Sequence, residues 1–599
     1  MIYHCEDHTC NYWDEGEKLP ERCPQCGRKL LRANETDMTG DDWTALGNTL
    51  WYAEASDKKR MVDCFRKAAY LGSAWGVCNL GICMEQGNGV EADPVQAFWL
   101  YQQAVEMGSL NAVCCLGVCY QYGIGTAPDA EKAAELYCKA AEYGSPRGQM
   151  LLARAFHDGI GVEADAAEAM HWVRAAAYQR YGEGMHRLGV CYAYGDGVEQ
   201  NWEHAVHWFR EAAESGVSVA MTDLGYCYEK GCGVEQSWAQ AFSWYRRGAE
   251  CGYPVSMSNL GLCYQMGYGV EQNWQEAIKW YEQGAQCGHL QSMNNLACCY
   301  EGGEGVEQNE ERALYWYRRS AEGGNGVAMC NLGWCYQRGY GVEQNEDRAL
   351  YWYRRGAEAG SDYCMYCLGW NYSNGEGVEQ NMTEAIRWYT AAAEGGNADA
   401  MHNLGWHYDH GEGVEQDMKK AICWYERAAE QNHPAAMNSL GECYAMGRGV
   451  PRDLETAMEW YRRAAELGEA MADYNMGWHL EQAGKLSEAY AHYRKAADGN
   501  DDSAWWALGR FYENGVVVAQ DGKEARRCYE TGEKLGSVKC KMRLARCKLL
   551  GIGGRREKKA GLDLCRQALE LAKESSEKED YGYEAEMNLL RRTIAENES

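Results

Sequence analysis

Residues 325–360 read NGVAMCNLGWCYQRGYGVEQNEDRALYWYRRGAEAG, and this stretch decides the fold. In its first half, apolar residues recur at spacings of three and four, the pattern of one helix face: Met329, Leu332, Cys335 and Tyr336. Gly339 and Gly341 follow, and glycine readily adopts the left-handed conformation that ends helices. The first half therefore predicts a helix that buries the face of Leu332.

The second half of the same stretch predicts another helix. Asn345 is a residue type preferred at a helix N-cap, and Glu346 and Asp347 suit the positive end of the helix dipole. The predicted inner face comprises Ala349, Trp352, Tyr353 and Ala357, and Gly360 ends the helix. The small residues Gly333 and Ala349 would allow the two backbones to approach closely. The stretch therefore predicts a helical hairpin.

The hairpin motif repeats along the chain with a period of 36 residues. Leu-Gly or a close variant starts at Leu80, Leu116, Leu152, Leu188, Leu224, Leu260, Leu296, Leu332, Leu368, Leu404, Leu440 and Met476. Divergent copies start at Leu46, Leu508 and Leu544, which makes about fifteen units over residues 41–565. A single hairpin cannot cover its own apolar face, so neighbouring hairpins must stack. The predicted fold is an all-α solenoid.

The repeated motifs resemble the Sel-1-like repeat, a relative of the tetratricopeptide repeat. The resemblance rests on residues 328–336 (AMCNLGWCY), residues 339–342 (GYGV), Ala349 and the pair Trp352-Tyr353. It implies a right-handed superhelix whose first helices line a concave surface, and a scaffold or adaptor role without catalysis. The sequence also lacks a P-loop, a nucleophile elbow and a zinc-protease His-Glu-x-x-His motif, so we predict that the protein is not an enzyme.

Residues 1–33 do not fit the repeat and contain a candidate metal site. Its four cysteines are Cys5, Cys10, Cys23 and Cys26. Four thiolates close a tetrahedral zinc site, which leaves no open position for catalysis. The segment looks like a zinc ribbon or rubredoxin-type knuckle, so we predict one structural Zn²⁺. Three alternatives remain open: iron could replace zinc, the cysteines could hold no metal, and His8 could replace Cys10 as a ligand.

The remaining cysteines favour a reducing compartment. Of the 29 cysteines, nine occupy one helical position of the repeat, where they would be buried as free thiols: Cys83, Cys119, Cys191, Cys227, Cys263, Cys299, Cys335, Cys443 and Cys547. The first residues show no basic segment followed by an apolar one, and no stretch approaches 18 apolar residues. We expect a cytoplasmic protein.

The charge of the chain excludes two classes of partner. The 59 Lys and Arg residues against 88 Asp and Glu residues give a net charge of −29. Nucleic acids and anionic membranes are bound by basic surfaces, so we expect neither as a partner. Basic or mixed-charge proteins would be attracted instead.

One outward stripe of the first helices is the candidate partner-binding surface. At 100° per residue, the position two residues after the repeat leucine points away from the core. That position carries Trp334, Trp370, Trp406, Trp478 and, earlier in the chain, Tyr226. The position one residue before the leucine carries Asn259, Asn295, Asn331, Asn403 and Asn475. Exposed indoles and amides suit an extended peptide, but the tryptophans could also pack on neighbouring helices and the asparagines could join adjacent repeats.

The sequence thus predicts four segments: a zinc-ribbon-like module (1–33), a linker (34–40), the solenoid (41–565) and a C-terminal capping helix (566–599). The recurring Gly-Val-Glu-Gln linker is interpreted as solvated connecting surface rather than a ligand site. We predict a non-catalytic scaffold that binds a protein or peptide segment on the concave face. The alternatives are a metal- or redox-responsive protein that works through the four cysteines, and a binder of glycans or cell-wall fragments.

Overall fold

The computed structural model describes residues 2–5, 13–15, 30–33, 38–52, 55–578 and 584–598. The chain divides into two compact units, Met1–Gln308 and Asn309–Ser599. No helix in the described part of the chain is both long enough and apolar enough to cross a membrane.

Unit 1 begins with a three-stranded antiparallel sheet. The strands are β1 Ile2–Cys5, β2 Trp13–Glu15 and β3 Leu30–Ala33, in the order β2-β1-β3. His4 pairs with Trp13, and Cys5, the last residue of β1, pairs with Leu30. The other predicted metal ligands, Cys10, Cys23 and Cys26, lie outside the described residues, as does the alternative ligand His8.

Fifteen α-helices follow in the described part of unit 1. They are α1 Gly40–Thr49, α2 Ala55–Tyr70, α3 Ala74–Gln86, α4 Pro94–Glu106, α5 Leu110–Tyr122, α6 Ala130–Glu142, α7 Pro146–Asp158, α8 Ala166–Tyr178, α9 Gly182–Tyr194, α10 Trp202–Glu214, α11 Ser218–Lys230, α12 Trp238–Glu250, α13 Pro254–Met266, α14 Trp274–Gln286 and α15 Leu290–Gly302. A short 3₁₀ helix, Leu50–Tyr52, lies between α1 and α2.

Unit 2 contains sixteen helices among its described residues. They are α16 Glu310–Glu322, α17 Gly326–Arg338, α18 Glu346–Glu358, α19 Asp362–Asn374, α20 Met382–Glu394, α21 Ala398–His410, α22 Met418–Glu430, α23 Pro434–Met446, α24 Leu454–Glu466, α25 Ala470–Gln482, α26 Leu486–Asp498, α27 Asp502–Asn514, α28 Gly522–Lys534, α29 Val538–Leu550, α30 Lys558–Lys578 and α31 Glu584–Glu598.

Within each unit, consecutive helices pack as hairpins and each hairpin packs on the next, so the predicted solenoid is confirmed. The helices from α3 to α29 all have 13 residues, as expected for tandem copies. The last helix, α31, packs on α29 through Met587 and Leu590, which are buried against Met542 and Leu549. The predicted capping segment 566–599 contains the end of α30 and all of α31, which begins at Glu584.

The hairpin of residues 325–360 forms as its sequence predicts. The Asn325 side chain caps α17, which ends at Gly339 with φ of 71°, and the Asn345 side chain accepts a hydrogen bond from the Arg348 amide at the start of α18. The predicted inner face of α17 is buried. On α18 the prediction for Trp352 is wrong: its indole is half-buried, with the Arg355 guanidinium 5.4 Å above the ring.

Leu350 takes the buried position that we assigned to Trp352. Leu350, Tyr353 and Ala357 are spaced by three and four residues, which places them on one face of α18, all at most 5% exposed. Trp352 is 100° from Tyr353 and therefore lies at the edge of that face.

A glycine–tyrosine pair joins the two helices of most hairpins. A Cβ atom on Gly333 would lie 2.5 Å from Cε1 of Tyr353, so only a very small residue fits beneath the ring. The Tyr353 hydroxyl donates to Oε1 of Gln337 at 2.8 Å. The corresponding tyrosines are among the largest fully buried side chains: Tyr101, Tyr137, Tyr245, Tyr281, Tyr317, Tyr389, Tyr425, Tyr461, Tyr493 and Tyr529.

The linker glutamines have a structural role. Nε2 of Gln272 donates to the carbonyl oxygen of Gln265 at 2.8 Å, which satisfies an acceptor in the last turn of α13. The same bond to the residue seven positions earlier is made by Gln200, Gln236, Gln308, Gln380, Gln416 and Gln520. The Gly-Val-Glu-Gln linker is thus an exposed connection that also caps the preceding helix.

The nine repeat cysteines are free and buried, as the sequence predicts. Two other cysteines depart from the general expectation of free thiols. Cys330 on α17 and Cys364 on α19 form a disulfide, with their Cα atoms 5.4 Å apart. Because these residues belong to adjacent first helices, the bond connects neighbouring hairpins.

Candidate functional site

The tryptophans predicted to face outward do so on the first helices of unit 2. Trp334 on α17, Trp370 on α19 and Trp478 on α25 are between 38% and 45% exposed. Trp406 on α21 is half-buried because its ring stacks on His410, with centroids 4.4 Å apart. In unit 1, Tyr226 on α11 is also exposed, and the Lys230 ammonium lies 5.9 Å from its ring.

Two of these indoles line one cleft in unit 2. The cleft, with a volume of about 390 Å³, lies on the surface formed by α19, the start of α20 and α21. Trp370, Asn403 and Trp406 are on its walls, together with His402 and Met382. The structure therefore brings together three of the residues predicted to bind a partner. Trp334 and Trp478 do not line this cleft.

The asparagines mainly join adjacent hairpins. The Asn403 amide lies near the hydroxyls of Tyr389 and Tyr366, and the Asn295 amide lies near that of Tyr281; each amide opposes the rise in the tyrosine pKa that burial causes. Burial raises the pKa of Tyr366 to about 12, and Asn403 opposes the rise. Asn295 also accepts a bond from Nε2 of Gln291 at 2.8 Å. These contacts favour the alternative in which the asparagine ladder sets the register of the hairpins.

Asn475 supports the same view. Nδ2 of Asn475 on α25 donates to Oδ1 of Asn438 at 3.0 Å and to Oε1 of Glu442 at 3.3 Å, both on α23. Asn259 on α13 and Asn331 on α17 are half-buried. Asn403 differs from the rest because it both lies near the preceding tyrosines and faces the cleft.

A half-buried histidine, His402, forms part of the cleft wall. His402 stacks on His433 with ring centroids 5.1 Å apart. Burial, aided by the nearby His433 and opposed by Asp399, lowers the pKa of His402 to about 4. Its neighbour His407 is 4% exposed, and its Nδ1 contacts the Glu412 carbonyl oxygen at 3.0 Å. At neutral pH the cleft therefore presents uncharged imidazole, indole and amide groups, with the acidic residue Glu412 also in its lining.

The described residues contain no group of three or more His, Cys, Asp or Glu side chains that could hold a metal ion. This observation does not test the predicted four-cysteine site, because Cys10, Cys23 and Cys26 lie outside the described residues. Of the predicted sites, the cleft between α19 and α21 is therefore the best defined. Its indole, imidazole and amide side chains suit the binding of a partner.

The fold and this surface define a helical-repeat solenoid, in which stacked hairpins expose a continuous set of helix faces. More specifically, the chain belongs to the Sel1 repeat family. The family model matches fourteen successive segments between residues 76 and 573: 76–109, 112–145, 146–181, 182–217, 218–253, 254–289, 290–325, 326–361, 362–397, 398–433, 434–469, 470–501, 504–537 and 538–573. Sel1 repeat proteins generally serve as scaffolds for protein–protein interactions.

Several solved structures are similar to parts of the chain. A protective antigen of uropathogenic Escherichia coli strains that displays an SLR fold is 32% identical, over 75% of this chain and 97% of that protein, with a TM-score of 0.48. A Sel1 repeat protein from Oxalobacter formigenes is 28% identical, over 51% of this chain and 89% of that protein, with a TM-score of 0.37. An immunity protein from Pseudomonas aeruginosa is 20% identical, over 37% of this chain and 83% of that protein, with a TM-score of 0.28. A search of curated proteins finds no match to the chain.

Sequence reasoning missed two features of the site. It did not find that asparagines of the ladder lie near the hydroxyls of tyrosines in the preceding hairpin, although a tyrosine 20 residues after the repeat glycine is visible in the sequence. It also did not single out the pair α19 and α21, because equivalent tryptophans look alike in sequence. Only the structure shows which of them border a depression.

Proposed function

We propose that the protein is a non-catalytic scaffold that binds an extended peptide or protein segment at the cleft between α19 and α21. The observation that supports the proposal is the presence of Trp370, Trp406 and Asn403 on the walls of one 390 Å³ cleft. This volume is within the range of ligand pockets in proteins. The resemblance to tetratricopeptide-like solenoids implies that these first helices line the concave face.

The cleft has the chemistry that a peptide requires. Indole rings offer large rigid apolar areas and are enriched among residues that dominate binding energy. The Asn403 amide supplies a donor and an acceptor, the two groups that a peptide bond needs. His402, whose pKa of about 4 keeps it neutral at pH 7, adds a polar group without adding charge.

Long-range electrostatics favours a basic or mixed-charge segment as the partner. The net charge of −29 raises the local concentration of cationic partners and the rate at which they associate. Because this attraction is screened by salt, binding should weaken as ionic strength increases. The same charge is unfavourable for nucleic acids and anionic membranes.

The proposal is tested with the variant Trp334→Ala/Trp370→Ala/Trp406→Ala. Affinity capture from native lysate, with the wild-type protein beside the variant, identifies the clients, and calorimetry with a client segment measures affinity. We expect the affinity to fall at least about 30-fold, since each truncated indole in a binding cleft contributes about 1 to 2 kcal/mol. Trp99→Ala is the matched control, because Trp99 is 53% exposed on the second helix α4.

Two outcomes would contradict the proposal. If the triple variant melts markedly lower than wild type, the tryptophans are packing residues. If the folded variant and the control bind the same clients with the same affinity, the tryptophan surface is not the binding site. Binding of glycans instead of peptides would support the alternative of a glycan binder.

We also propose a structural zinc ion on Cys5, Cys10, Cys23 and Cys26. What supports it is the donor set together with the strand pairing. Cys5 ends β1 and pairs with the first residue of β3, and its neighbour His4 pairs with Trp13, the first residue of β2, so the end of β1 and the starts of β2 and β3 lie at one end of the sheet. Most described cysteines are free thiols, with the Cys330–Cys364 disulfide as the exception, and free thiols and zinc thiolates suit a reducing compartment, so the proposal includes the cytoplasm as location.

A further inference from the structure

Two free cysteines on adjacent first helices of unit 1 lie side by side, at a position of the repeat that carries a disulfide in unit 2. Cys78 on α3 corresponds to Cys330 on α17, seven repeat periods further along the chain. Cys330 bonds Cys364, so a residue at this position reaches the next first helix. In unit 1 the position of Cys364 is held by Ala112, and Cys115 lies one turn further along the same face of α5. Cys78 therefore faces a thiol to which it is not bonded.

Two side chains direct N–H groups at these sulfurs. Nη1 of Arg147, in the first turn of α7, donates to Sγ of Cys115 at 3.5 Å and to Oδ1 of Asn111 at 2.6 Å. Nδ2 of Asn111 in turn donates to Sγ of Cys78 at 3.8 Å. The two cysteines are 1% and 5% exposed, whereas Arg147 and Asn111 are half-buried. Both sulfurs thus lie beneath a polar cover that carries one positive charge.

This environment favours the thiolate of Cys115. The neighbouring Cys78 thiol, followed by the Arg147 guanidinium, lowers the pKa of Cys115 below its usual value, against the opposing effects of burial and of the Glu85 carboxylate. The proximity of Cys115, together with burial, raises the pKa of Cys78, which therefore stays protonated beside it. The thiolate is the nucleophilic form of cysteine, so Cys115 is the reactive member of the pair.

Unit 2 contains the same arrangement of positions without the cation. Seven repeat periods further along, Cys367 occupies the position of Cys115, and Asp399 occupies that of Arg147. Burial raises the pKa of Cys367 to about 12, and no positive charge opposes this rise. The chain therefore provides an internal comparison, in which a cysteine at the same place of the repeat has a carboxylate where Cys115 has a guanidinium.

We propose that Cys78 and Cys115 form an oxidation site that reacts with hydrogen peroxide and becomes a disulfide between α3 and α5. The Cys115 thiolate attacks one peroxide oxygen, the O–O bond breaks, and the leaving hydroxide takes a proton from solvent to become water. The Cys78 sulfur then attacks the sulfenic acid on Cys115: the S–S bond forms, the S–O bond breaks, and the hydroxide leaves with the Cys78 proton as a second water. The two thiols lose two electrons, which reduce the peroxide. This site is independent of the cleft between α19 and α21.

The test treats the reduced full-length protein with hydrogen peroxide at pH 7 and follows the loss of each alkylatable thiol by mass spectrometry. Cleavage after glutamates such as Glu91 separates Cys78 from Cys115, and fragmentation of the linked peptides locates the disulfide. We expect the Cys78–Cys115 bond to form at least about fivefold faster than Cys367 is oxidised, because Cys115 has the larger thiolate fraction. In Cys78→Ser the sulfenic acid on Cys115 should persist and be trapped by dimedone.

Three further variants, each checked for folding by circular dichroism, test the role of the cation. Arg147→Asp, which copies the corresponding position of unit 2, should slow disulfide formation at least about fivefold, and Arg147→Lys should largely retain the rate. Arg154→Asp is the matched control: it makes the same change of charge on α7, but its side chain is 67% exposed, and the rate should not change. Oxidation of Cys367 as fast as that of Cys115 would overturn the proposal. So would overoxidation of Cys115 without the disulfide, or equal rates for Arg147→Asp and Arg154→Asp.

Discussion

At the scale of single residues, the hairpins depend on a buried phenol and its acceptor. Tyr101 is fully buried, and its hydroxyl donates to Oε2 of Glu85 at 2.6 Å. The chain contains a natural counterpart without this bond: Phe209 occupies the ring position of another hairpin, and Ala193 occupies the acceptor position. In that hairpin the hydroxyl and its acceptor are therefore both absent, while the aromatic ring stays buried.

We predict that Tyr101→Phe lowers the free energy of unfolding by about 1 to 2 kcal/mol, because Glu85 loses a hydrogen-bond donor while the ring packing stays. Glu85→Ala should have a similar cost. The double variant, which reproduces the Phe209–Ala193 arrangement, should cost less than the sum of the single changes. Urea unfolding of the four proteins measures this coupling, and strictly additive effects would show that the bond contributes nothing.

The pKa of His402 predicts how stability depends on pH. The folded state lowers this pKa from 6.5 to about 4, so the unfolded state binds more protons between these values. Stability is therefore unaffected by His402 above pH 6.5 and falls as pH decreases towards 4, by up to about 3 kcal/mol. Thermal unfolding from pH 7 to pH 4 should show a shallower loss for His402→Asn than for wild type. The control is His207→Asn, an exposed histidine in unit 1; identical profiles for all three proteins would contradict the prediction.

The sequence predicted correctly for some residues, but not for all, whether the side chain is buried or exposed. Helical periodicity placed Met329, Leu332 and Cys335 in the core and Trp334 and Trp370 outside, as the structure confirms. Periodicity could not rank Trp352 against Leu350, since both lie near the inner face and the packing of Tyr353 decides between them. It also could not reveal hydrogen bonds between repeats, which depend on the offset between stacked helices.

At the scale of helices and connections, the repeat period and its capping residues were sufficient to predict the hairpins. Asparagine N-caps and left-handed glycines mark helix ends that are visible in sequence, as at Asn345 and Gly339. The function of the linker glutamine was not predictable, because its carbonyl partner lies seven residues earlier across a turn whose geometry the sequence does not specify. The structure assigns the repeated Gln to helix capping.

We predict that Gln272→Ala weakens the last turn of α13. Loss of the bond from Nε2 to the Gln265 carbonyl should lower local stability by about 1 kcal/mol. Hydrogen exchange of the last α13 amides should accelerate about fivefold, with little change in the other hairpins, since repeat arrays are stabilised by near-neighbour interactions. The adjacent exposed residue provides the control, Glu271→Ala, which should leave exchange unchanged. Equal acceleration in both variants would refute the capping role.

At the scale of the whole molecule, the sequence was sufficient to predict a solenoid of about fifteen hairpins. It was not sufficient to predict where the cavity and the cleft lie. A repeat makes every hairpin equivalent in pattern, so the pattern alone does not distinguish the surface of one hairpin from that of another. Val173 stands in place of tyrosine beside a cavity, and Trp370 and Trp406, which follow the pattern, border a cleft. The residues are visible in the sequence, but the depressions that they border depend on three-dimensional packing.

The zinc proposal predicts about one zinc ion per chain by elemental analysis of the purified protein. Replacing Cys23 and Cys26 by serine should abolish zinc binding, because two thiolates cannot close the site. The helical circular dichroism should be almost unchanged, since the described helices lie outside residues 1–33. A folded wild-type protein without zinc would contradict the proposal, and a red, reducible iron site would support the redox-responsive alternative.

The central claim is that the first helices of unit 2 hold a peptide segment between Trp370 and Trp406. The most direct measurement is hydrogen exchange of the full-length protein with and without a captured client segment, in wild type and in the triple tryptophan variant. We predict that the segment protects α19 and α21 in wild type and that this protection is lost in the folded variant. Protection confined to the second helices, or protection that persists unchanged in the variant, would contradict the account.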